Sequence, residues 1–386
     1  MTNSSNLYLE PWLISFGERK KRLLDSINEG KKIALYYSKA PDSSTFRYRC
    51  YNTFQATKNS SKWQAIYFYH SEFKKIKSLA TKAAILVLGR QSRWDSSIKE
   101  FSDFAHNHKI PLFFDLDDLV FDKRYLRTVT NTISSLSSLS YWSPYFSDIN
   151  KTAEQADGFI VTNDFIGEKL KDSFQKPYET IRNSLNDEQV AASRVYLEYK
   201  KSISKRDQFK IGYFGGSPTH ANDLDVAMPE LLYFLKKHPN STFNIVGYMQ
   251  FDDRFQSFLK NGQITFTPPV DFRKLQRLMS EVDVNLAPLV INDFTNCKSE
   301  LKFFEAAIVE TTTLASPTYC FKKAIKQGST GFLCQPGEWL ETIEYLYQNP
   351  KKNQTIAKAA KDYCLKEYYG KVFLKEVEEA YDRISQ

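Results

Sequence analysis

The chain has 386 residues, of which 42% are hydrophobic and 25% are charged. This is an ordinary globular composition, which excludes global disorder and leaves room for two domains with separate cores. The net charge is +8, from 53 Lys and Arg against 45 Asp and Glu, and it favours anionic partners such as nucleotides, phosphates or acidic lipid surfaces. No compact Lys/Arg tract or nucleic-acid-binding signature accompanies the charge, so nucleic acid is not an expected partner.

The cysteines and the apolar runs bear on the cellular setting. Five cysteines are scattered without metal-ligand spacing, which favours a reduced, cytosolic environment. Residues 1–16 lack the apolar core and cleavage site of a signal peptide, and no run approaches the roughly 18–20 apolar residues that span a bilayer. We therefore expect a cytoplasmic protein, with peripheral contact at the inner face of the membrane left open.

The first half of the chain alternates short apolar runs with helix-length segments. The runs predict strands at residues 32–37, 65–69, 84–88, 110–114, 158–162 and 179–183. Such a rhythm is typical of a mainly parallel, doubly wound sheet.

Basic residues follow two of these predicted strands. Arg47 and Arg49 come after the turn-rich loop 40–45, and Arg90 follows the strand at 84–88. Open α/β sheets bind ligands at the carboxyl ends of their strands, so these arginines are candidates to meet a phosphate or an acidic sugar. A solvated basic helix start explains the spacing of Arg47 and Arg49 equally well.

Three aspartates follow the strand at 110–114. Asp115, Asp117 and Asp118 could hold Mg²⁺ or Mn²⁺ on a nucleotide diphosphate, or supply a carboxylate that accepts a phosphoryl group. The haloacid-dehalogenase pattern requires a Thr where Leu119 stands, which argues against the phosphoryl interpretation. Loop carboxylates and a helix cap are the plainer alternative.

A charged helical stretch at 187–206 leads into a second α/β unit. This unit begins with a strand that runs from residue 209 into Gly215, Gly216 and Ser217. Glycine amides approach a phosphate without interference from a Cβ atom, and Ser217 adds a hydroxyl donor. A tight turn between strand and helix is the alternative interpretation of the glycine pair. Further strands are predicted at 243–247, 263–266, 282–288 and 311–315.

The segment 296–314 carries the most informative pattern. From Lys298 it predicts a helix on which Lys298, Lys302 and Glu305 share one narrow arc. An apolar stripe beside that arc contains Leu301, Phe304 and Ile308.

Ser299 or Asn296 is expected to cap the start of this helix. Two lysines in a first turn oppose the helix dipole unless an anion binds there. A diphosphate would resolve that conflict, and Glu305, one turn deeper, could accept hydrogen bonds from sugar hydroxyls. A surface helix with solvated lysines is the alternative.

In order and spacing these motifs resemble glycosyltransferase family four, whose members have the two-domain GT-B fold. The matching segments are 211–218, 283–289, 298–306, 315–317 and 328–333. Segments 46–49 and 114–119 look like those of bacterial members that build surface polysaccharides. The resemblance covers most of the chain and is strongest over 209–334.

The resemblance implies two Rossmann-like, doubly wound parallel-sheet domains that face a central cleft. Residues 1–200 would bind the acceptor, residues 207–368 would bind the nucleotide sugar, and residues 369–386 would form a helix that returns to the N-terminal domain. The implied activity is transfer of a hexose or deoxyhexose to a glycan, lipid-linked or protein-linked acceptor in cell-envelope polysaccharide biosynthesis. The family usually retains anomeric configuration and needs no metal, so neither a metal nor another cofactor is expected.

Residue roles are carried over position by position. Glu305 matches the second Glu of the family's motif of two glutamates with seven residues between them, and this second Glu hydrogen-bonds the donor ribose. Lys298 and Lys302 are the candidates to neutralise the departing diphosphate. The candidate set is Lys298, Lys302 and Glu305 as catalytic residues; Gly215, Gly216, Ser217, Ser299 and Glu305 as donor-binding residues; and Arg47, Arg49, Arg90, Asp117 and Asp118 as acceptor-binding residues.

The chain departs from the family pattern at three places. Cys297 occupies the position of the first Glu, so the usual contact to the transferred sugar is missing or displaced. Glu310 and Thr312 replace a common Gly and Pro after the helix. The Lys-Gly of the usual pyrophosphate segment has no counterpart after Ser217. These departures bear on donor identity and catalytic geometry more than on the fold.

Two other functional classes remain open from the sequence. One is a metal-dependent transferase or phosphatase centred on residues 115–118. The other is a non-catalytic glycan- or nucleotide-binding protein, which the cysteine at position 297 would suit.

Overall fold

The computed structural model describes residues 10–39, 41, 44–133, 139–202, 208–215 and 221–386. In this part of the chain every pairing between strands is parallel, and the strands form two six-stranded sheets. The first sheet comprises β1 (Lys32–Ser38), β2 (Trp63–Tyr69), β3 (Ile85–Gly89), β4 (Leu112–Leu116), β5 (Gly158–Val161) and β6 (Tyr178–Thr180). The second comprises β7 (Lys210–Gly215), β8 (Thr242–Gly247), β9 (Ile264–Thr267), β10 (Val284–Ala287), β11 (Thr312–Ala315) and β12 (Phe332–Leu333).

Helices connect the strands and cover the faces of the sheets. Those of the first half are α1 (Phe16–Asn28), α2 (Asn52–Thr57), α3 (Phe73–Ala80), α4 (Ser96–Asn107), α5 (Leu126–Thr132), α6 (Leu139–Gln155), α7 (Asp164–Phe174) and α8 (Asp187–Ser202). Those of the second half are α9 (Ala221–Leu224), α10 (Met228–Lys237), α11 (Gln256–Lys260), α12 (Phe272–Ser280), α13 (Asp293–Asn296), α14 (Leu301–Ala307), α15 (Tyr319–Ala324), α16 (Trp339–Gln348), α17 (Pro350–Glu367) and α18 (Lys371–Ile384). A π-helical turn over Arg47–Tyr51 leads into α2.

Burial on both faces explains why the strands are visible in the sequence as continuous apolar runs. Every residue of β1 after Lys32 is buried, and so is every residue of β3. Parallel strands need crossover connections, and these place helices on both faces of a sheet. The prediction of an α/β architecture with two doubly wound parallel sheets is confirmed. The predicted strand at 179–183 corresponds to β6, which ends earlier, at Thr180.

The strand order determines where a ligand site can form. The first sheet has the order β2-β1-β3-β4-β5-β6, and the second has the order β12-β11-β10-β7-β8-β9. In the first sheet, β2 lies on one side of β1 and the later strands lie on the other, so the switch point is between β1 and β3. In the second sheet, β8 and β9 lie on one side of β7 and the later strands lie on the other, so the switch point is between β7 and β10. Ligands of open α/β sheets bind outside the carboxyl ends of the strands at such switch points.

The last helix, α18, packs on the first unit. Phe373, Val377 and Ala380 belong to the same buried cluster as the strands of the first sheet. The hydroxyl oxygens of Tyr381 and Tyr36 lie 2.8 Å apart in that cluster. The chain therefore ends on the unit in which it began. Among the described helices, none is both long enough and apolar enough to cross a membrane.

Candidate functional site

A cleft of about 400 Å³ lies between the two units, and residues at the carboxyl ends of both sheets line it. Thr45 follows β1, Arg90 follows β3 and Leu289 follows β10, so both switch points face the same space. Nine of the predicted site residues line this cleft: Arg47, Arg90, Asp117, Asp118, Gly215, Lys298, Ser299, Lys302 and Glu305.

Three predicted site residues are not among the residues that line the cleft. Gly216 and Ser217 lie outside the described residues. Arg49 lies beneath the cleft, 2% exposed, and forms two hydrogen bonds with Asp115, at 2.7 Å from Nε to Oδ1 and 3.2 Å from Nη2 to Oδ2. Its Nη1 donates to the carbonyl oxygen of Ile181 at 2.6 Å. Arg49 therefore ties the π-helical turn to β4 and to the end of β6.

Asp115 is itself buried, with 1% of its surface exposed. Burial raises the pKa of Asp115 to about 6, and the Arg49 guanidinium opposes that rise. The Asp115 carboxylate thus forms an ion pair with Arg49 on the π-helical turn. No group of three or more His, Cys, Asp or Glu side chains in the described residues has the arrangement of a metal site.

The turn before α14 differs from its prediction. The helix begins at Leu301 rather than at Lys298, and no side chain caps it. The predicted caps are wrong because both side chains make tertiary contacts instead. Asn296 Oδ1 accepts from the backbone N–H of Tyr319 at 2.9 Å, and the Ser299 hydroxyl accepts from Asn183 Nδ2 at 2.8 Å. The predicted apolar stripe is confirmed, since Phe304 and Ile308 are buried and Leu301 packs against the same cluster.

Lys302 is partly buried in the wall of the cleft. Its Nζ donates to the carbonyl oxygen of Phe214 near the end of β7 and lies 5.2 Å from the ring centre of Tyr213. Burial lowers the pKa of Lys302 to about 8, and the nearby carboxylates of Glu305 and Asp223 only partly counter it. In the described part of the chain no carboxylate forms an ion pair with this ammonium. The interpretation of a solvated surface lysine is therefore wrong for Lys302.

Glu305 is buried on α14 and is held from across the cleft. Its Oε1 accepts from Arg47 Nη2 at 3.1 Å, from the Tyr48 hydroxyl and from Gln189 Nε2 at 3.4 Å. Its backbone carbonyl oxygen accepts from Gln276 Nε2 at 2.6 Å. The carboxylate thus joins α14 to the π-helical turn after β1 and to α8.

A second group of charges lies where β3 and β4 end. Arg90 Nε is 2.9 Å from Asp117 Oδ1, and the same guanidinium pairs with Asp118. Arg90 Nη2 also donates to the Thr45 hydroxyl at 2.6 Å. From the second unit, Lys298 Nζ lies 3.3 Å from Asp118 Oδ1. Both aspartates at the cleft are therefore paired with cations.

Cys297 faces the protein interior. Its side chain is fully buried, and its backbone carbonyl oxygen accepts from Asn163 Nδ2 at 2.9 Å. Burial raises the pKa of the thiol, which keeps it protonated and unreactive. Residue 297 is thus not among the residues that line the cleft.

Sequence reasoning missed several cleft residues. Tyr48 lies between the two arginines that were singled out, and Phe272 begins α12; neither has a spacing that signals a site. Gly247 carries a clearer signal, because it is a glycine at the carboxyl end of a strand, β8. Its φ is +119°, and a Cβ there would lie 1.7 Å from the carbonyl oxygen of Gly215, so only glycine lets β7 and β8 end this close together.

Comparison with known proteins agrees with this architecture. Residues 208–349 match a family model described as "Glycosyl transferases group 1". The search of curated protein sequences gave no match.

Three solved structures are similar in fold to this chain over both of its units. HepE from Anabaena, in complex with UDP and glucose, has a TM-score of 0.57 and 13% identity over 92% of this chain and 99% of that chain. Sucrose-phosphate synthase from Thermosynechococcus elongatus has a TM-score of 0.61 and 14% identity over 92% and 99%. A glycosyltransferase from Rickettsia africae has a TM-score of 0.61 and 12% identity over 92% and 98%. The chain therefore has the GT-B fold, and its second α/β unit matches the glycosyltransferase group 1 family model.

Proposed function

We propose that the chain is a glycosyltransferase that takes a nucleotide sugar as donor. The observation that carries this proposal is the position of Lys298, Lys302 and Glu305. They lie in a cleft between two parallel sheets, on the unit that matches the glycosyltransferase family model. The donor would lie between the end of β7 and α14, and the acceptor would lie against the first unit.

The chemistry of transfer requires cations at this place. The bond between the anomeric carbon and a diphosphate oxygen breaks, a bond to an acceptor oxygen forms, and the acceptor proton is released. Negative charge therefore builds up on the departing diphosphate, where fixed positive groups lower the barrier. Lys298 and Lys302 supply two such charges. A bound diphosphate would also stabilise the Lys302 ammonium, which burial alone disfavours.

Glu305 is proposed to bind the donor ribose. Its carboxylate lies one turn along α14 from Lys302, and an ionised carboxylate accepts hydrogen bonds from a pair of vicinal hydroxyls. Gly215 and Ser299 line the same wall and would complete the donor site.

Transfer without a metal ion and with retention of configuration is part of the proposal. The pairing of Asp117 and Asp118 with Arg90 and Lys298 supports the first point, because these carboxylates already have cationic partners. Retention comes from the family resemblance. In this interpretation the two lysines do the charge neutralisation that a divalent cation does elsewhere.

The acceptor is proposed to bind near Arg90, Asp117 and Asp118. These groups offer both donors and acceptors at the end of the first sheet, a combination that suits sugar hydroxyls. A glycan, lipid-linked or protein-linked acceptor, a role in polysaccharide biosynthesis of the cell envelope, and a cytoplasmic site with peripheral membrane contact complete the proposal.

Thermal-shift measurements with UDP-, GDP- and dTDP-sugars test the donor, because a ligand that binds only the folded state raises the melting temperature. UDP is the first nucleotide to try, because both HepE and the pneumococcal O-GlcNAc transferase GtfA were solved with it. One nucleotide family is expected to stabilise the protein, and release of its sugar should be detectable. A protein that neither binds nor turns over any of them would contradict the proposed function.

Variants then test the site. Lys302→Ala and Glu305→Ala are expected to abolish transfer. Lys302→Ala should leave the melting temperature close to that of the wild type, whereas Glu305→Ala also removes the buried counter-charge of Arg47 and should lower the melting temperature. Lys237→Ala removes an exposed lysine paired with Glu344 and serves as the control with full activity. Full activity in both site variants would contradict the assignment of Lys302 and Glu305 to the donor site. Turnover should persist in excess EDTA, and a loss that Mg²⁺ restores would favour the metal-dependent alternative.

A further inference from the structure

Arg47 holds hydrogen-bond donors that the rest of the described chain leaves unused. Its side chain is 4% exposed, and its Nε and Nη1 have no acceptor among the residues that the structure describes. Only Nη2 is engaged, with Glu305 Oε1 at 3.1 Å and the Tyr48 hydroxyl at 2.9 Å. Leaving a buried polar group unsatisfied costs about 1–3 kcal/mol, and more for a charged one. A ligand oxygen at this wall of the cleft would remove that cost.

The guanidinium of Arg47 is held in place from both units. Its central carbon lies 4.5 Å from the ring centre of Tyr48 and 4.9 Å from that of Phe272. Tyr48 belongs to the first unit and Phe272 begins α12 of the second. Aromatic contacts of this kind orient a guanidinium and reduce the entropy that a ligand must remove on binding. Arg47 is thus preorganised as a binding group.

Charge around Arg47 indicates an anionic ligand. Among the described residues, four cationic side chains and three carboxylates line the cleft. The cations are Arg47, Arg90, Lys298 and Lys302, and the carboxylates are Asp117, Asp118 and Glu305. Their formal sum is +1, and the Lys302 ammonium forms no ion pair with a described carboxylate. An anion that reached Arg47 and Lys302 together would meet the Lys302 ammonium and the two guanidinium nitrogens, Nε and Nη1, that the Glu305 ion pair leaves unused.

The neighbour of Arg47 identifies which anion this is. Arg47 contacts Glu305, which the proposed function assigns to the donor ribose. In a nucleotide sugar the diphosphate is bonded directly to that ribose, whereas the acceptor lies beyond the transferred sugar. The charged ligand group closest to Glu305 is therefore the diphosphate.

We propose that Arg47, although it belongs to the first unit, binds the diphosphate of the nucleotide donor together with Lys302. This inference rests on the proposed function and moves Arg47 from the acceptor side, where sequence reasoning put it, to the donor side. A nucleotide would then contact both units, and its binding would hold them together before any acceptor arrives.

Calorimetric titration of the full chain with UDP, uridine and inorganic diphosphate tests the inference, with GDP and dTDP as further nucleotides if UDP does not bind. Arg47→Gln is expected to weaken binding of the nucleoside diphosphate and of inorganic diphosphate by about tenfold or more, and to change the affinity for the nucleoside far less. Arg47→Lys keeps a charge without the planar fork and should give a smaller loss. Arg93→Gln, at an arginine that pairs with Asp148 and does not line the cleft, is the matched control.

A second comparison separates a direct contact from an effect through Glu305. Tyr48→Phe removes another donor from the same carboxylate oxygen but keeps the guanidinium. It should change the affinities for nucleoside and nucleoside diphosphate by the same factor, whereas Arg47→Gln should lower the affinity for the nucleoside diphosphate much more than the affinity for the nucleoside.

Unchanged diphosphate affinity in Arg47→Gln, with a raised acceptor KM, would return Arg47 to the acceptor side and overturn the inference while the proposed function stands. A wild-type protein that binds neither nucleotides nor diphosphate would contradict both.

Discussion

The ammonium nitrogen of Lys298 lies 3.3 Å from Oδ1 of Asp118, so the two α/β units make an ion pair across the cleft. Both side chains are about one-fifth exposed. Asp118 also forms an ion pair with Arg90, and Lys298 Nζ lies 4.2 Å from the ring centre of Phe294. Any phosphate that binds Lys298 must therefore compete with a carboxylate of the other unit.

Competition of this kind predicts coupled mutational effects on nucleotide affinity. Asp118→Asn should tighten nucleotide binding a few-fold, because Lys298 no longer shares its charge. Lys298→Met should weaken binding by about tenfold. In the double variant the effect of Asp118→Asn should vanish, since the lysine through which it acts is gone. Titration calorimetry of the four proteins measures this, and strictly additive effects would show that the two residues act separately.

Nucleotide affinity should also depend on pH through Lys302. Because burial lowers its pKa to about 8, the ammonium is charged at pH 7 and loses its proton as the pH rises through 8. Binding of an anion favours the charged form, so affinity should be high at pH 7 and fall by up to about tenfold per pH unit well above 8.

Lys302→Arg is the matched variant for this pH dependence, because arginine stays protonated throughout. Its affinity between pH 7 and 9.5 should be nearly constant. A wild-type affinity that also stays constant over this range would show that the charge of Lys302 does not contribute to binding.

The buried pair of Arg49 and Asp115 should matter for stability. Asp115→Asn leaves the guanidinium buried without its counter-charge, which typically costs about 3–5 kcal/mol. Arg49→Met combined with Asp115→Leu removes both charges and should be much less destabilising than the single change. Guanidinium-chloride denaturation followed by circular dichroism gives the comparison. If Asp115→Asn unfolded at the wild-type midpoint, the pair would have no role in stability.

Position 297 offers a test of the departure from the family motif. Cys297→Ala should leave turnover within about twofold of wild type, because the thiol does not line the cleft. Cys297→Glu introduces the residue found at this position in the family that the chain resembles, but it places a larger, charged side chain at a fully buried position, so it should lower the melting temperature without raising turnover. A gain in turnover would mean that the segment can reorient its side chain into the cleft.

The sequence alone determined the strands, their parallel arrangement and the apolar stripe of α14. Strands such as β1 and β3 are buried on both faces, and they are therefore recognisable in the sequence as continuous apolar runs. Phe304 and Ile308 are visible for a similar reason, because helical periodicity places them on one face. The local spacing of Lys298, Lys302 and Glu305 singled them out in the sequence, and all three line the cleft.

Only the tertiary structure decided what the individual charges do. Arg47 and Arg49 are two residues apart, yet one meets Glu305, 258 positions away, and the other meets Asp115, 66 positions away. The caps proposed for α14 failed for the same reason, since Asn296 and Ser299 found partners in other elements. A periodic pattern records which side of an element is buried, whereas the partner of a buried charge depends on how distant elements are brought together by the folded chain.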